Sequence, residues 1–123
     1  MSLQYLSTRG QAPVFDFEGV LLAGLAQDGG LYLPQSLPSF SASELTAMRG
    51  MSYTELAKTV IAPFVEGSID RETLAGLVEA SYRDFRHQAV APVLQLDHDQ
   101  WLLELFHGPT LAFKDFALQL LSL

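Results

Sequence analysis

One lysine stands in a setting where its amine could take part in chemistry. Lys114 lies between Phe113 and Asp115, and from residue 101 to residue 123 only Glu104, Lys114 and Asp115 carry a charge. Burial among aromatic rings disfavours the ammonium form of a lysine, and the positive end of a helix dipole acts in the same direction. A neutral amine is a nucleophile that condenses with an aldehyde to give a Schiff base. The neighbourhood of Lys114 therefore predicts covalent chemistry on an aldehyde.

The segment before Lys114 predicts a turn that leads into a helix. Residues 107–109 have turn chemistry, and Thr110 is a good N-cap for a helix from Leu111 onward. The free N–H groups of such a first turn, near Leu111 and Ala112, can bind an anion. An amine beside an anion-binding turn suits pyridoxal phosphate, a cofactor that acts as an electron sink.

Lys114 also has an ordinary structural interpretation. A lysine near a helix start can lay its aliphatic stem on apolar surface and pair its charge with a carboxylate, here Asp115 or Glu104. The chain has only one other lysine, Lys58, and the apolar surroundings of Lys114 weaken this interpretation. Spacing alone leaves both interpretations open.

Composition limits the possible classes of function. The 123 residues are 49% hydrophobic, which is enough for one compact core and too much for a disordered tail. Fourteen acidic residues against seven basic ones give a net charge of −7, so a basic surface for nucleic acid or for membrane docking is lacking. The absence of cysteine excludes disulfides, a thiol nucleophile and Cys-ligated zinc.

Nothing in the sequence indicates a membrane, export or metal function. The longest uncharged stretch, residues 29–43, contains two prolines and is too short and polar to span a bilayer. The N-terminus lacks the pattern of a signal peptide, and the three histidines have no ligand-like spacing. We therefore expect a cytoplasmic protein without metal, nucleic acid or membrane as a partner.

Hydrophobic spacing predicts an α+β chain. We expect helices over 15–26, from Ser41 or Ser43, from Ser52 with a capping box to Glu55, and from Asp70 to about Phe85. Pro63 should kink or end the helix that contains it. Short strands are expected at 3–8 and 31–33, and a hairpin at 90–106 with a four-residue connection at 97–100. The helices between residues 52 and 85 should pack on a small β-sheet.

The last predicted helix, from residue 111 to the end, is apolar on nearly all sides. A helix of this kind belongs in the core of a larger body. We therefore expect the chain to be the front piece of a longer protein.

Several motifs resemble those of one enzyme family in the same order. Residues 103–116, LELFHGPTLAFKDF, resemble the cofactor-lysine motif of threonine synthases. Residues 5–10 (YLSTRG), 24–34 (GLAQDGGLYLP) and 51–57 (MSYTELA) are similar to earlier signatures of that family. The resemblance covers the whole chain, and the fourteen-residue run is its most specific part.

The resemblance implies a pyridoxal-phosphate enzyme with a tryptophan-synthase-β-like fold. Threonine synthases convert O-phospho-L-homoserine and water into L-threonine and phosphate. By its position in the motif, Lys114 would be the catalytic lysine that binds the cofactor and then moves protons between substrate carbons. The enzyme would be a lyase of threonine biosynthesis.

The resemblance also suggests weaker site assignments. Phe113 could pack against the cofactor ring, although packing in the core is the alternative. Two roles are open to Thr110: a helix cap only, or a cap that also donates to a phosphate oxygen. Arg9 is a second phosphate-binding candidate because a guanidinium matches phosphate bidentately, with a surface or turn role as the alternative. Residues 28–30 are interpreted as a cap and turn, and not as a phosphate loop.

The chain departs from the family pattern in its length. Family members continue beyond the lysine helix, and the glycine-rich loop for the cofactor phosphate does not occur here. We expect residues 1–96 to be the N-terminal domain and 97–123 to be the start of a fold-type-II pyridoxal-phosphate domain. Because catalysis needs several groups positioned at once, the 123 residues alone are expected to be inactive.

Two alternatives remain at this point. A threonine-synthase-like phospholyase would eliminate phosphate and release a keto acid instead of adding water. A non-catalytic interaction domain would keep the motif as core packing, bind no cofactor and cover its apolar final helix by self-association.

Overall fold

A computed structural model describes residues 3–123. Its elements in chain order are β1 (Tyr5–Ser7), α1 (Phe17–Ala23), β2 (Tyr32–Pro34), α2 (Ala42–Ala47), α3 (Tyr53–Val65), α4 (Arg71–Tyr82), β3 (Val93–Asp97), β4 (Gln100–Leu103) and α5 (Asp115–Leu121). The predicted α+β class is confirmed, and the strands form two separate antiparallel pairs, β1 with β2 and β3 with β4. Within residues 3–123, no helix is long and apolar enough to cross a membrane.

The chain divides into two compact units. The first comprises the described residues up to Arg49 together with Thr59–Glu72, and the second comprises Gly50–Lys58 and Thr73–Leu123. Helices α3 and α4 therefore each contribute residues to both units.

The first unit is organised by the short sheet of β1 and β2. Tyr5 pairs with Pro34 and Ser7 with Tyr32. Tyr5 is buried, and its hydroxyl donates a hydrogen bond to the carbonyl oxygen of Phe64, 2.6 Å away. This contact ties β1 to the last turn of α3, because a buried hydroxyl needs a partner.

The second unit is organised by the buried side of α4 and by α5. Val78 is completely buried, and Leu74, Ser81 and Tyr82 are buried beside it. Four aromatic rings meet between α3, α4 and α5, with centroid distances from 4.9 to 6.2 Å between contacting rings: Tyr53, Tyr82, Phe85 and Phe116. Edge-to-face pairs of this kind add to the stabilisation that burial provides.

The β3–β4 hairpin is exposed along both strands. Asp97 pairs directly with Gln100, and the register shifts between Gln95 and Asp97. The connection is therefore the two residues His98 and Asp99, shorter than the four-residue connection that the sequence predicts. Trp101 on β4 is 61% exposed.

Most helix starts follow the predicted capping signals. Ser52 and Glu55 form the expected capping box before α3, with the N–H of Ser52 2.8 Å from the Glu55 carboxylate. A carboxylate oxygen of Asp70 accepts from the N–H of Glu72 at the start of α4. Ser41 is the cap of α2. The helix α3 continues past Pro63 to Val65.

Two helices are shorter than predicted. The helix α1 covers Phe17–Ala23 and not 15–26, because the Asp16 carboxylate caps the N–H of Gly19 and Gly24 ends the helix with a φ of 66°. A glycine adopts that left-handed conformation without the steric cost of a β carbon. The helix α4 ends at Tyr82, three residues before the predicted end.

Candidate active site

The segment before α5 is a turn, and the helix starts later than the sequence predicts. Leu111 has a φ of 64°, in the left-handed region that a right-handed helix cannot contain. Its N–H donates to the carbonyl oxygen of Gly108 at 3.1 Å. The prediction of a helix from Leu111 with Thr110 as its cap is therefore wrong. Lys114 is the N-cap residue of α5 and makes no capping hydrogen bond with its side chain.

Asp115 organises this turn, which we call the lysine loop (residues 107–114). The carboxylate accepts two hydrogen bonds from Thr110, one from the hydroxyl at 2.7 Å and one from the N–H at 2.8 Å. The N–H of Ala112 and the side chain of Gln119 also favour the charged form of this carboxylate. Asp115 is only 2% exposed. Burial by itself raises the pKa of Asp115, but these hydrogen bonds outweigh it and hold the pKa below its ordinary value.

One of the donors that the sequence assigns to an anion is already occupied. The N–H of Leu111 donates to the carbonyl oxygen of Gly108, and the N–H of Thr110 beside it donates to the Asp115 carboxylate. The expectation of an anion-binding first turn is therefore wrong for the N–H of Leu111, and anion binding by the N–H of Ala112 stays a prediction.

Lys114 lies beside an apolar cavity of about 530 Å³. Its lining is hydrophobic except for Lys114 and consists of Leu105, Phe113, Lys114, Phe116, Ala117 and Leu118. Phe113 is 67% exposed, so its ring is open to contact with another group. The arrangement places an amine at the edge of an apolar space.

The expected burial of Lys114 is wrong for this part of the chain, because its side chain is exposed. The aromatic residues that pack on α5 contact Phe116 and leave the lysine uncovered. Within the described residues, Lys114 forms no ion pair: Glu104 bonds to His107, and Asp115 is satisfied by the loop. The ion pair with Asp115 or Glu104 that the structural interpretation allows is therefore not present among the described residues.

Glu104 and His107 fix the entry to the lysine loop. A ring nitrogen of His107 lies 2.6 Å from a Glu104 carboxylate oxygen, and both side chains are mostly buried. The carbonyl oxygen of His107 accepts the N–H of Arg86 at 2.8 Å. The rings of Phe106 and His87 contact the imidazole at centroid distances of 4.6 and 5.0 Å.

One side chain of α4 holds α5 from the other end of the loop. The hydroxyl of Tyr82 donates to the carbonyl oxygen of Phe116 at 3.0 Å. The hydroxyl of Ser81 donates instead within α4, to the carbonyl oxygen of Leu77 at 2.6 Å. The loop is thus fixed at both ends, and Lys114 sits where it joins α5.

Arg9 belongs to the other unit. Its guanidinium is exposed and donates to the carbonyl oxygen of Asp28 at 3.0 Å. The Asp28 carboxylate accepts from the hydroxyl of Ser7 and from the N–H groups of Gln11 and Gly30, which makes this segment a turn. The structure thus places Thr110, Phe113 and Lys114 in one loop and Arg9 in a separate turn.

The central role of Asp115 was not predicted from the sequence. A signal was present, because an aspartate five residues after Thr110 can accept the N–H groups of the intervening turn. The close approach of Gly108, where a β carbon would overlap the Asp115 carboxylate, is visible only in the structure. No group of three or more residues able to hold a metal ion occurs within residues 3–123.

Comparison with known proteins identifies relatives along the chain. A family profile described as "Threonine synthase N terminus" matches residues 4–82. The threonine synthase of Pseudomonas aeruginosa is 58% identical over 120 residues, which cover 98% of this chain and 26% of that protein. The threonine synthase-like 2 protein of Rattus norvegicus is 44% identical over 115 residues, which cover 93% of this chain and 24% of that protein.

A solved structure agrees with the fold. The crystal structure of pyridoxal-phosphate-bound threonine synthase from Brucella melitensis has a TM-score of 0.96 and 55% identity, covering 98% of this chain and 26% of that one. The chain thus spans about a quarter of the length of these relatives. With a profile match over residues 4–82 and this agreement in fold, the chain belongs to the threonine synthase family, in the part that forms its N-terminal region.

Proposed function

We propose that this chain is the N-terminal part of a pyridoxal-phosphate-dependent threonine synthase. The complete enzyme would convert O-phospho-L-homoserine and water into L-threonine and phosphate. The observation that carries the proposal is the exposed amine of Lys114, free of an ion pair among the described residues and placed beside an apolar cavity. A simple surface lysine would not need a loop fixed at both ends.

The residues around Lys114 fit one end of the proposed cofactor. The cavity of about 530 Å³ is lined by aliphatic and aromatic side chains, which suits a flat aromatic ring. Lys114 and Phe113 would hold that ring. The phosphate would need donors other than the N–H groups of Thr110 and Leu111, because these two are already bonded. When bound, pyridoxal phosphate supplies an electron sink for carbanions.

Lys114 would also serve as the acid and base of the reaction. Its Nζ would take a proton from one substrate carbon and return it to another, which needs an amine that can be neutral. The Thr110 hydroxyl has a single hydrogen, which it gives to Asp115, so a role in binding substrate phosphate requires that bond to be exchanged. Arg9 remains a proposed phosphate ligand through its exposed guanidinium.

We propose that these 123 residues alone do not catalyse the reaction. The apolar cavity is open and Lys114 is exposed, whereas proton transfer on a substrate carbon needs a site that positions several groups and excludes water. The division at residues 96 and 97 into an N-terminal domain and the start of a cofactor domain is part of this proposal.

The test uses the full-length enzyme and two lysine variants. Lys114→Ala should remove the visible absorbance of bound cofactor and reduce threonine formation by on the order of 10²–10⁴-fold. Lys58→Ala is the matched control, because Lys58 pairs with Glu79 on α4 and is not in the lysine loop. Retention of cofactor and activity in Lys114→Ala would contradict the proposal. An unaltered protein that never binds cofactor would favour a non-catalytic domain.

A phospholyase is the second candidate. The lysine loop suits both reactions, since each needs an amine that moves protons at the substrate. Product analysis with phosphohomoserine separates them: threonine supports the synthase, and a keto acid with released phosphate supports the phospholyase.

A further inference from the structure

The lysine loop is closed by the carboxylate that directly follows Lys114. Asp115 accepts two hydrogen bonds from Thr110, one on each of its oxygens. A carboxylate that is 2% exposed and accepts on both oxygens is held firmly, because buried charge is stable only when its hydrogen bonds are satisfied.

The backbone of the loop is unfavourable without this closure. Leu111 has a φ of 64°, a conformation that costs a leucine free energy and persists only where its surroundings impose it. Gly108 approaches the carboxylate so closely that a β carbon would overlap it. The loop is therefore kept in shape by contacts that converge on Asp115.

The carboxylate also stays away from the neighbouring amine. Both of its oxygens are engaged by Thr110, and within the described residues it forms no ion pair with Lys114. Its charge is used to hold the loop, and the amine remains available for another partner.

From these contacts we propose that Asp115 is the positioning residue for Lys114. The carboxylate fixes the path of residues 108–114 and thereby the place of Lys114 at the lining of the apolar cavity. The inference rests on the proposed role of Lys114 in the synthase. It assigns Asp115 no contact with substrate or cofactor.

The first experiment measures how readily the Lys114 amine is acetylated, independently of the enzyme's own reaction. In the full-length apoenzyme, Lys114 and Lys58 are acetylated at a fixed pH with limiting acetic anhydride and quantified by mass spectrometry. Asp115→Asn should raise the Lys114 to Lys58 labelling ratio at least about threefold, because the loop opens and a neighbouring negative charge disappears. Asp99→Asn, the same change at an exposed position of the hairpin turn, should leave the ratio unchanged.

The second experiment separates positioning from binding in the full-length holoenzyme. Asp115→Asn should lower kcat roughly 10- to 100-fold with KM within about twofold, since misplacement of a reacting group affects the chemical step. The absorbance of bound cofactor should shift in position while remaining present. Asp115→Glu, which keeps the charge, should recover part of kcat.

The outcomes are distinguishable. If the unaltered enzyme binds no cofactor at Lys114, the proposed function is refuted. The labelling ratio alone then decides whether Asp115 positions Lys114. An unaltered enzyme that binds cofactor, together with an Asp115→Asn variant that has wild-type labelling and kcat, would overturn the positioning role. If Asp115→Asn does not fold, Thr110→Ser and Thr110→Val replace it. Only Thr110→Val lacks the hydroxyl that donates to Asp115, so only this variant should raise the Lys114 to Lys58 labelling ratio. Equal labelling ratios in the two variants would overturn the proposal.

Discussion

Gly108 and Asp115 approach each other so closely that no side chain fits between them. A β carbon on Gly108 would overlap Oδ2 of Asp115, the oxygen that accepts the N–H of Thr110. Gly108 is also buried, so a larger residue could not turn outward. The glycine is therefore required for the closed shape of the lysine loop.

Gly108→Ala should destabilise the protein by roughly 1–3 kcal/mol, the usual cost of overpacking a tight site. Gly76→Ala is the matched control, because a β carbon there would meet no described atom within 4 Å and the residue lies inside α4. Alanine is the better helix former, so the control should gain about 0.5–1 kcal/mol. Urea unfolding measures both, and a neutral Gly108→Ala would contradict the crowded contact.

Tyr82→Phe should weaken the attachment of α5 to α4. The change removes the hydroxyl that donates to Phe116 and keeps the buried ring. We expect a loss of about 0.5–1.5 kcal/mol in the free energy of unfolding. Tyr32→Phe removes an exposed hydroxyl bond to Pro13 and should cost less. Equal losses in the two variants would argue against a special role of the Tyr82 hydroxyl.

Stability should fall in alkaline solution because of Tyr53. Burial, and next the proximity of Tyr82, raise the pKa of Tyr53 from 10.0 to about 12. The unfolded chain therefore loses this proton first as pH rises. The contribution of the raised Tyr53 pKa to the free energy of unfolding is fully present below pH 10. It is lost as pH rises toward about 12.

The ultraviolet absorbance of tyrosinate follows the ionisation of Tyr53. Unfolding curves at several pH values measure the accompanying loss of stability. Tyr53→Phe should flatten the decrease in stability above pH 10. A decrease of the same slope in that variant would assign the effect to other groups.

Asp28 should make the first unit sensitive to acid. The hydrogen bond from Ser7 is the main cause that holds the pKa of Asp28 below its ordinary value of 3.8. As pH falls, the unfolded chain binds the proton first. The stabilisation is therefore present above the ordinary pKa and is lost as pH falls through the lower folded value.

Ser7→Ala should raise the pKa of Asp28 and reduce this acid dependence. Ser36→Ala, at an exposed serine, is the control and should keep the wild-type dependence. Stability curves from neutral pH down to acid pH provide the measurement. An unchanged acid slope in Ser7→Ala would show that the Ser7 hydroxyl does not set the Asp28 pKa.

Local signals predicted most of the elements. The start of α3 depends on Ser52 and Glu55, three residues apart, and the start of α4 depends on Asp70 two residues before Glu72. Such capping contacts are visible in the sequence because both partners are close along the chain. The short strands and the hairpin were predicted for the same reason.

Contacts that compete with a local preference were not predicted. The residues after Thr110 have good helix-forming composition, but the bonds of Thr110 to Asp115 and the left-handed Leu111 hold them in a turn. The bond from Tyr5 to Phe64 spans 59 positions and has no sequence signal. The surroundings of Lys114 likewise depend on which faces of α5 the aromatic rings cover, and periodicity does not specify that.

Trp101 turns the exposed hairpin into an optical reporter. It is the single tryptophan of the chain and is 61% exposed on β4. Its emission should shift to shorter wavelength when any surface covers the hairpin. Local unfolding of the lysine loop should leave the emission of Trp101 nearly constant. A shift of the emission to shorter wavelength therefore reports contact at the hairpin and not unfolding of the lysine loop.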